Sequence, residues 1–178
     1  MTPTCALTYG PSMAKTDRRR PEDRTEAMRI ALAGLADGTD PRDLVLQLNA
    51  LHAERSLFPG FVLLELAADG LELSGASRAE PVEYDGLRER HLPEIDIRGK
   101  NQQHKSHYTL RAVAMIRAGV APDLEAQVSW WSADDLLVWA LYALLAYVRV
   151  AADRTGEPVG AICQRLAASH GIELSART

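Results

Sequence analysis

Between Trp130 and Arg154 the chain reads WWSADDLLVWALYALLAYVRVAADR, and from Leu136 to Val148 every position is apolar or tyrosine. A helix that is apolar all round is either buried on every side or set in a membrane. A membrane span needs about 20 apolar residues, and this run covers 13, with Asp134 and Asp135 before it and Arg149, Asp153 and Arg154 after it. The pattern therefore predicts a water-soluble core helix over 132–154 with other helices packed around it. Ser132 is placed to cap it, with Asp135 three residues on, and acids in the first turn and arginines in the last suit the helix dipole. Thr155-Gly156 is the expected stop, because glycine tolerates the left-handed conformation of a helix terminus.

The rest of the chain alternates helical stripes with punctuation. Pro21, Glu22 and Asp23 open a helix whose Met28, Ala31, Leu32 and Leu35 recur with the spacing of one buried face. Gly38 stops it. Asp40-Pro41 opens the next, with Leu44, Val45, Leu48, Leu51 and His52 inward, and the short linker predicts a helical hairpin. Pro59 opens a third, FVLLELAADGLELS, with Val62, Leu63, Leu66 and Leu73 on its apolar side and Glu65 and Asp69 four apart on another. From Gly75 to Gly99 the chain turns irregular and acidic, with Glu80, Glu83, Asp85, Glu89, Glu94 and Asp96 among prolines and glycines, and a short helix over Tyr84–His91. Helical character returns from Asn101 to Ala118, where Gly119 ends it. APDLEAQVSWW is a short helix or turn leading into the central helix. Glu157-Pro158 opens the last helix, with Val159, Ile162, Cys163 and Leu166 inward and Gly171 closing it. No alternating run of β-branched residues is long enough for a strand, and no internal repeat is present.

The expected architecture is all-α: a single-domain helical bundle of five to seven helices around the central buried helix 132–154. Residues 1–20 form a flexible N-terminal tail and 21–174 the bundle, with 75–100 an irregular acidic loop region within it. At 178 residues a chain buries roughly 70% of its unfolded surface and folds without a metal or disulfide. A net charge of −4 exerts no global pull on nucleic acid, so any polyanion site is local. Cys5 and Cys163 make neither a disulfide framework nor zinc spacing, which suits a reducing cytoplasm. No signal peptide or membrane association is expected, and no cofactor is called for.

One stretch reverses the sign of its surroundings. Arg98 to Arg117 holds Arg98, Lys100, His104, Lys105, His107, Arg111 and Arg117 and no acid. On a helix His104, His107, Tyr108 and Arg111 share one face, and Arg98 and Lys100 gather at its N-terminus, where free backbone N–H groups favour anions. Arg98, Lys100, His104, His107 and Arg111 are thus the candidate anion-binding residues, for a phosphorylated ligand or an RNA backbone. The alternative is that this face pairs with the acidic segment 80–96.

Within the stretch, Arg98-Gly-Lys-Asn-Gln-Gln-His104 resembles the Arg-to-His motif of HEPN ribonucleases, all-α bundles that typically dimerise to join two such motifs. The resemblance covers seven residues, and Gly99 stands where that family usually has a polar residue; a second match within the motif's loose spacing, an Arg followed four to six residues later by His, stands at Arg165–His170. It implies His104 as general base on a ribose hydroxyl and Arg98 stabilising the phosphorane; no catalytic residue is assigned beyond these two candidates.

His104-x-x-His107 supplies two metal ligands where a catalytic site needs a third. Glu65, Asp69, Asp134 or Asp135 would have to provide it, and no metal site is assigned. The Glu-x-x-His pairs of di-iron bundles are missing. Trp130 and Trp131 are the candidate partner-binding residues, since paired aromatics make interface hot spots. No catalytic set is complete, so the leading expectation is a non-enzymatic protein–protein interaction or regulatory module whose partner is another protein or a second copy. The alternatives are a phosphate- or RNA-binding protein using 98–117, and a small-ligand or metal binder within the bundle.

Overall fold

The computed structural model describes residues 21–55, 59–75, 90–92, 100–117 and 132–174. Among these residues there are six helices of 11 or more residues and no strand: α1 Pro21–Ala36, α2 Pro41–Arg55, α3 Pro59–Leu73, α4 Lys100–Arg117, α5 Ala133–Thr155 and α6 Val159–Ser169. The chain is an all-α helical bundle.

Local chemistry sets most of the helix ends. Asp40 accepts the Arg42 N–H at 2.8 Å ahead of α2. Ser132 Oγ accepts the Asp135 N–H at 3.1 Å and caps α5. Gly38, Gly156 and Gly171 stand at φ near +70°, the left-handed geometry that frees the chain to leave a helix. Past Gly171 the Ile172 N–H returns to the Ala167 carbonyl at 2.8 Å, and Ile172 folds back into the core.

Two helices share the centre. In α5, Leu137, Ala140, Leu141, Leu144, Ala146, Tyr147 and Val148 are essentially inaccessible. Its partly exposed positions, Asp135, Val138, Tyr142 and Arg149, fall on one narrow stripe. By length and composition this helix could cross a membrane, but 72% of its apolar window is buried inside the bundle. The second central helix is α3, which buries all of its residues except Phe61, Glu65, Asp69, Glu72 and Leu73. It touches each of the other five helices, and its interface with α5 is the largest among the described residues. The sequence pattern pointed to one apolar side of α3. The short residues Gly60, Ala67, Ala68 and Gly70 extend burial around the cylinder because they let neighbours approach closely. A Cβ on Gly60 would lie 2.7 Å from Leu136 Cγ and 3.2 Å from the Leu136 carbonyl carbon.

The remaining helices present single faces, as their spacing predicts. From α1 come Ala27, Met28, Ala31, Leu32 and Leu35; from α2, Leu44, Leu48 and Leu51; from α6, Ile162, Cys163 and Leu166. His52, assigned inward from the sequence, has a side chain outside the described set. Cys163 has no exposed surface, and burial pushes its thiol up to about 12. Such a thiol is a packing element, because reactivity requires the thiolate. The largest fully buried side chain among the described residues, Tyr147, satisfies its hydroxyl by donating to the Leu110 carbonyl of α4 at 3.0 Å, as a buried phenol must.

Candidate functional site

α4 carries two faces of different character. Lys105, Ser106, Thr109, Leu110, Ala112 and Val113 are buried, while Asn101, Gln102, Gln103, His104, His107 and Arg111 are exposed, and Tyr108 lies at the boundary. The helical register thus brings three of the five candidate anion-binding residues, His104, His107 and Arg111, to the solvent side within two turns. Lys100 is the first residue of α4, with its side chain outside the described set. Arg98, Trp130 and Trp131 lie outside the described residues, as does the acidic segment 80–89 and 93–96.

Tyr108 connects the two faces. Its ring is 6.2 Å from that of His104, inclined at 34°. Burial raises the Tyr108 hydroxyl above its ordinary range, against a smaller opposing effect of the Arg111 charge. Tyr108 is therefore a neutral hydrogen-bonding group beside the His104 imidazole and within reach of the Arg111 charge.

Lys105 belongs to the basic run by sequence but not by position. It points inward and donates to Asp135 Oδ2 at 2.7 Å, with only 11% of its side chain exposed. The hydrogen bond from Lys105 holds the Asp135 carboxyl below the usual carboxylate range, with further help from Ser132 and against some desolvation. One residue thus does two jobs: the backbone of Asp135 meets the α5 cap, and its carboxylate pins α4 to α5.

The other acids considered as ligands or bases are similarly engaged. Glu65 of α3 pairs with Arg24 of α1. Asp69 accepts from His170 Nε2 at 2.8 Å, joining α3 to the end of α6. Glu65 thus meets an arginine, and Asp69 a histidine 101 positions away in the sequence. In the second Arg-to-His match, Arg165 bonds Glu157 at 2.6 Å while His170 is held by Asp69. Both members are tied to different acids, so that match reads as two structural contacts, one ion pair and one histidine–carboxylate hydrogen bond. Among the described residues no three His, Cys, Asp or Glu side chains gather as a metal site.

Sequence reasoning missed one cluster altogether. His91 Nδ1 lies 3.4 Å from Asp153 Oδ2, and Arg149 Nη1 donates to the His91 carbonyl at 2.5 Å. Leu92, beside it, is 98% buried by its 2% exposure. No local signal marks these residues, because Arg149 is 58 positions from His91. Comparison with family models, curated proteins and solved structures gives no match, so the functional reading rests on the residues themselves.

Proposed function

We propose that this protein is a non-enzymatic interaction or regulatory module that meets its partner, another protein or a second copy, through the solvent side of α4. One observation carries the reading. The acids nearest in role to a catalytic partner, Asp135, Glu65 and Asp69, are each engaged in a pair between helices, while His104, His107 and Arg111 face solvent beside three amides. Such a face offers donors to a partner's carboxylates and carbonyls. The cysteine usage favours a cytoplasmic setting.

A photo-crosslinking residue at His107 tests this in cells. A discrete adduct with one protein, or with the chain itself, is expected from position 107 and not from the exposed Gln164 of α6. Equal labelling from both positions would overturn the assignment of the face.

A second reading, phosphate or RNA binding with HEPN-like cleavage, is supported by the shared exposure of His104, His107 and Arg111. It predicts that a labelled single-stranded RNA binds at low salt and is released as salt rises, since phosphate contacts release counterions. Arg98→Ala with Arg111→Ala would abolish that binding, and His104→Ala would remove cleavage while keeping it. No binding at low salt eliminates this reading.

A further inference from the structure

Residues 91–92 are fastened to the bundle at three points: Leu92 in the core and, on the C-terminal half of α5, the Arg149 guanidinium on the His91 carbonyl and Asp153 beside the His91 imidazole. His91 is the only one of these groups whose ordinary pKa lies between pH 5 and 8. We infer that residues 90–92 and α5 form a pH-sensitive clasp, closed when His91 is neutral and loosened when it is protonated.

The sign follows from the surroundings. The His91 side chain is 13% exposed, so charging it means losing hydration. Asp153, the one described acid facing it, is 72% exposed, and solvent screens its attraction. Arg90 on the same segment and Arg149 on α5 oppose a positive charge. Burial, with help from both arginines and against Asp153, sets the imidazole below its ordinary value. A group whose pKa is lower in the closed state stabilises that state fully above its open-state value, about 6.5. The contribution is lost as pH falls through the lower closed-state value. Acid therefore favours the open clasp, and Leu92 leaves the core with it.

The full-length protein is the right object for the test. Amide exchange at residues 91–92 is measured at about pH 7.5 and about pH 5, corrected for intrinsic rates, and the His91 ring is titrated by NMR. Exchange at 91–92 should rise in acid while amides at Leu141 and Leu144 stay protected. The rise is bounded by ten raised to the difference between His91's open and closed pKa values, a limit reached once pH lies below both. His91→Asn should make exchange at 91–92 independent of pH over this range. Asp153→Asn should lower the His91 pKa further and shift the opening accordingly. Flat exchange in the native protein, a His91 pKa at or above the ordinary value, persistence of the pH dependence in His91→Asn, or equal loss of protection throughout α5 would each overturn the clasp.

Discussion

Gly60 and Gly160 both stand second in their helices, α3 and α6, yet their surroundings call for opposite outcomes on substitution. A methyl at Gly60 meets Leu136 side chain and backbone at 2.7 and 3.2 Å, whereas at Gly160 the nearest atom is the Ala36 carbonyl oxygen at an ordinary 3.6 Å. Overpacking a core costs about 1–3 kcal/mol, and replacing an unstrained glycine gains about 0.4–1 kcal/mol by restricting the unfolded chain. Urea midpoints should therefore fall for Gly60→Ala and rise for Gly160→Ala. A neutral Gly60→Ala would mean that the first turns of α3 and α5 are not in this contact.

The Lys105–Asp135 bond makes a pH-resolved prediction at the same scale. The Asp135 carboxyl titrates lower in the fold than its unfolded value of about 3.9. The bond therefore stabilises fully above that value and is lost as pH falls through the lower folded one. Lys105→Met keeps the apolar stem and removes the charge. Because Asp135 is 40% exposed, solvent screening limits the loss to about 0.5–1 kcal/mol near neutrality. Stability curves of the two proteins should converge in strong acid, and a difference that stays constant across pH would assign the effect to packing alone.

At the scale of elements, burial follows helical register wherever a helix has one wet side. Leu46 of α2 is 68% exposed, between the buried Leu44 and Leu48 of the same helix, whereas Leu141 of α5 has no exposed surface. Leu46→Glu should leave stability within about 0.5 kcal/mol, the scale of surface changes. Leu141→Asp should prevent accumulation of folded protein, because an uncompensated charge in a core costs several kcal/mol or more. A folded Leu141→Asp protein with normal melting would show that this side of α5 is accessible.

For the whole molecule, the position of α3 decides how the fold comes apart. It touches every other helix, and α5 touches all but α1 to any comparable extent. α1 packs on α2, α3 and α6, and α2 and α6 each reach α5 as well, so no helix pair is separable from the rest. Thermal unfolding should therefore be a single cooperative transition, with calorimetric and van't Hoff enthalpies equal. Separate melting of the α1–α2 pair, detected as a second transition, would contradict this arrangement.

Sequence alone determined the helices and many of their ends, because those depend on neighbours within a turn: Ser132 before α5, the glycines after α1, α5 and α6, and the apolar stripes of α1, α2 and α6. It also identified α5 as a core helix, since thirteen successive apolar or tyrosine positions leave no polar face. It placed His104, His107 and Arg111 on one face of α4, a consequence of spacing. What it could not determine was which side of α4 each basic residue occupies relative to the core, or which acid answers which cation. Lys105 turns inward because Asp135 waits there, Asp69 meets a histidine from the far end of the chain, and His91 is clasped by α5. α3 became a second centre because small residues admit neighbours on sides that its stripe of leucines does not mark. Each of these depends on partners brought together only by packing, and pairwise electrostatics and close approach have no period along a chain from which they could be read.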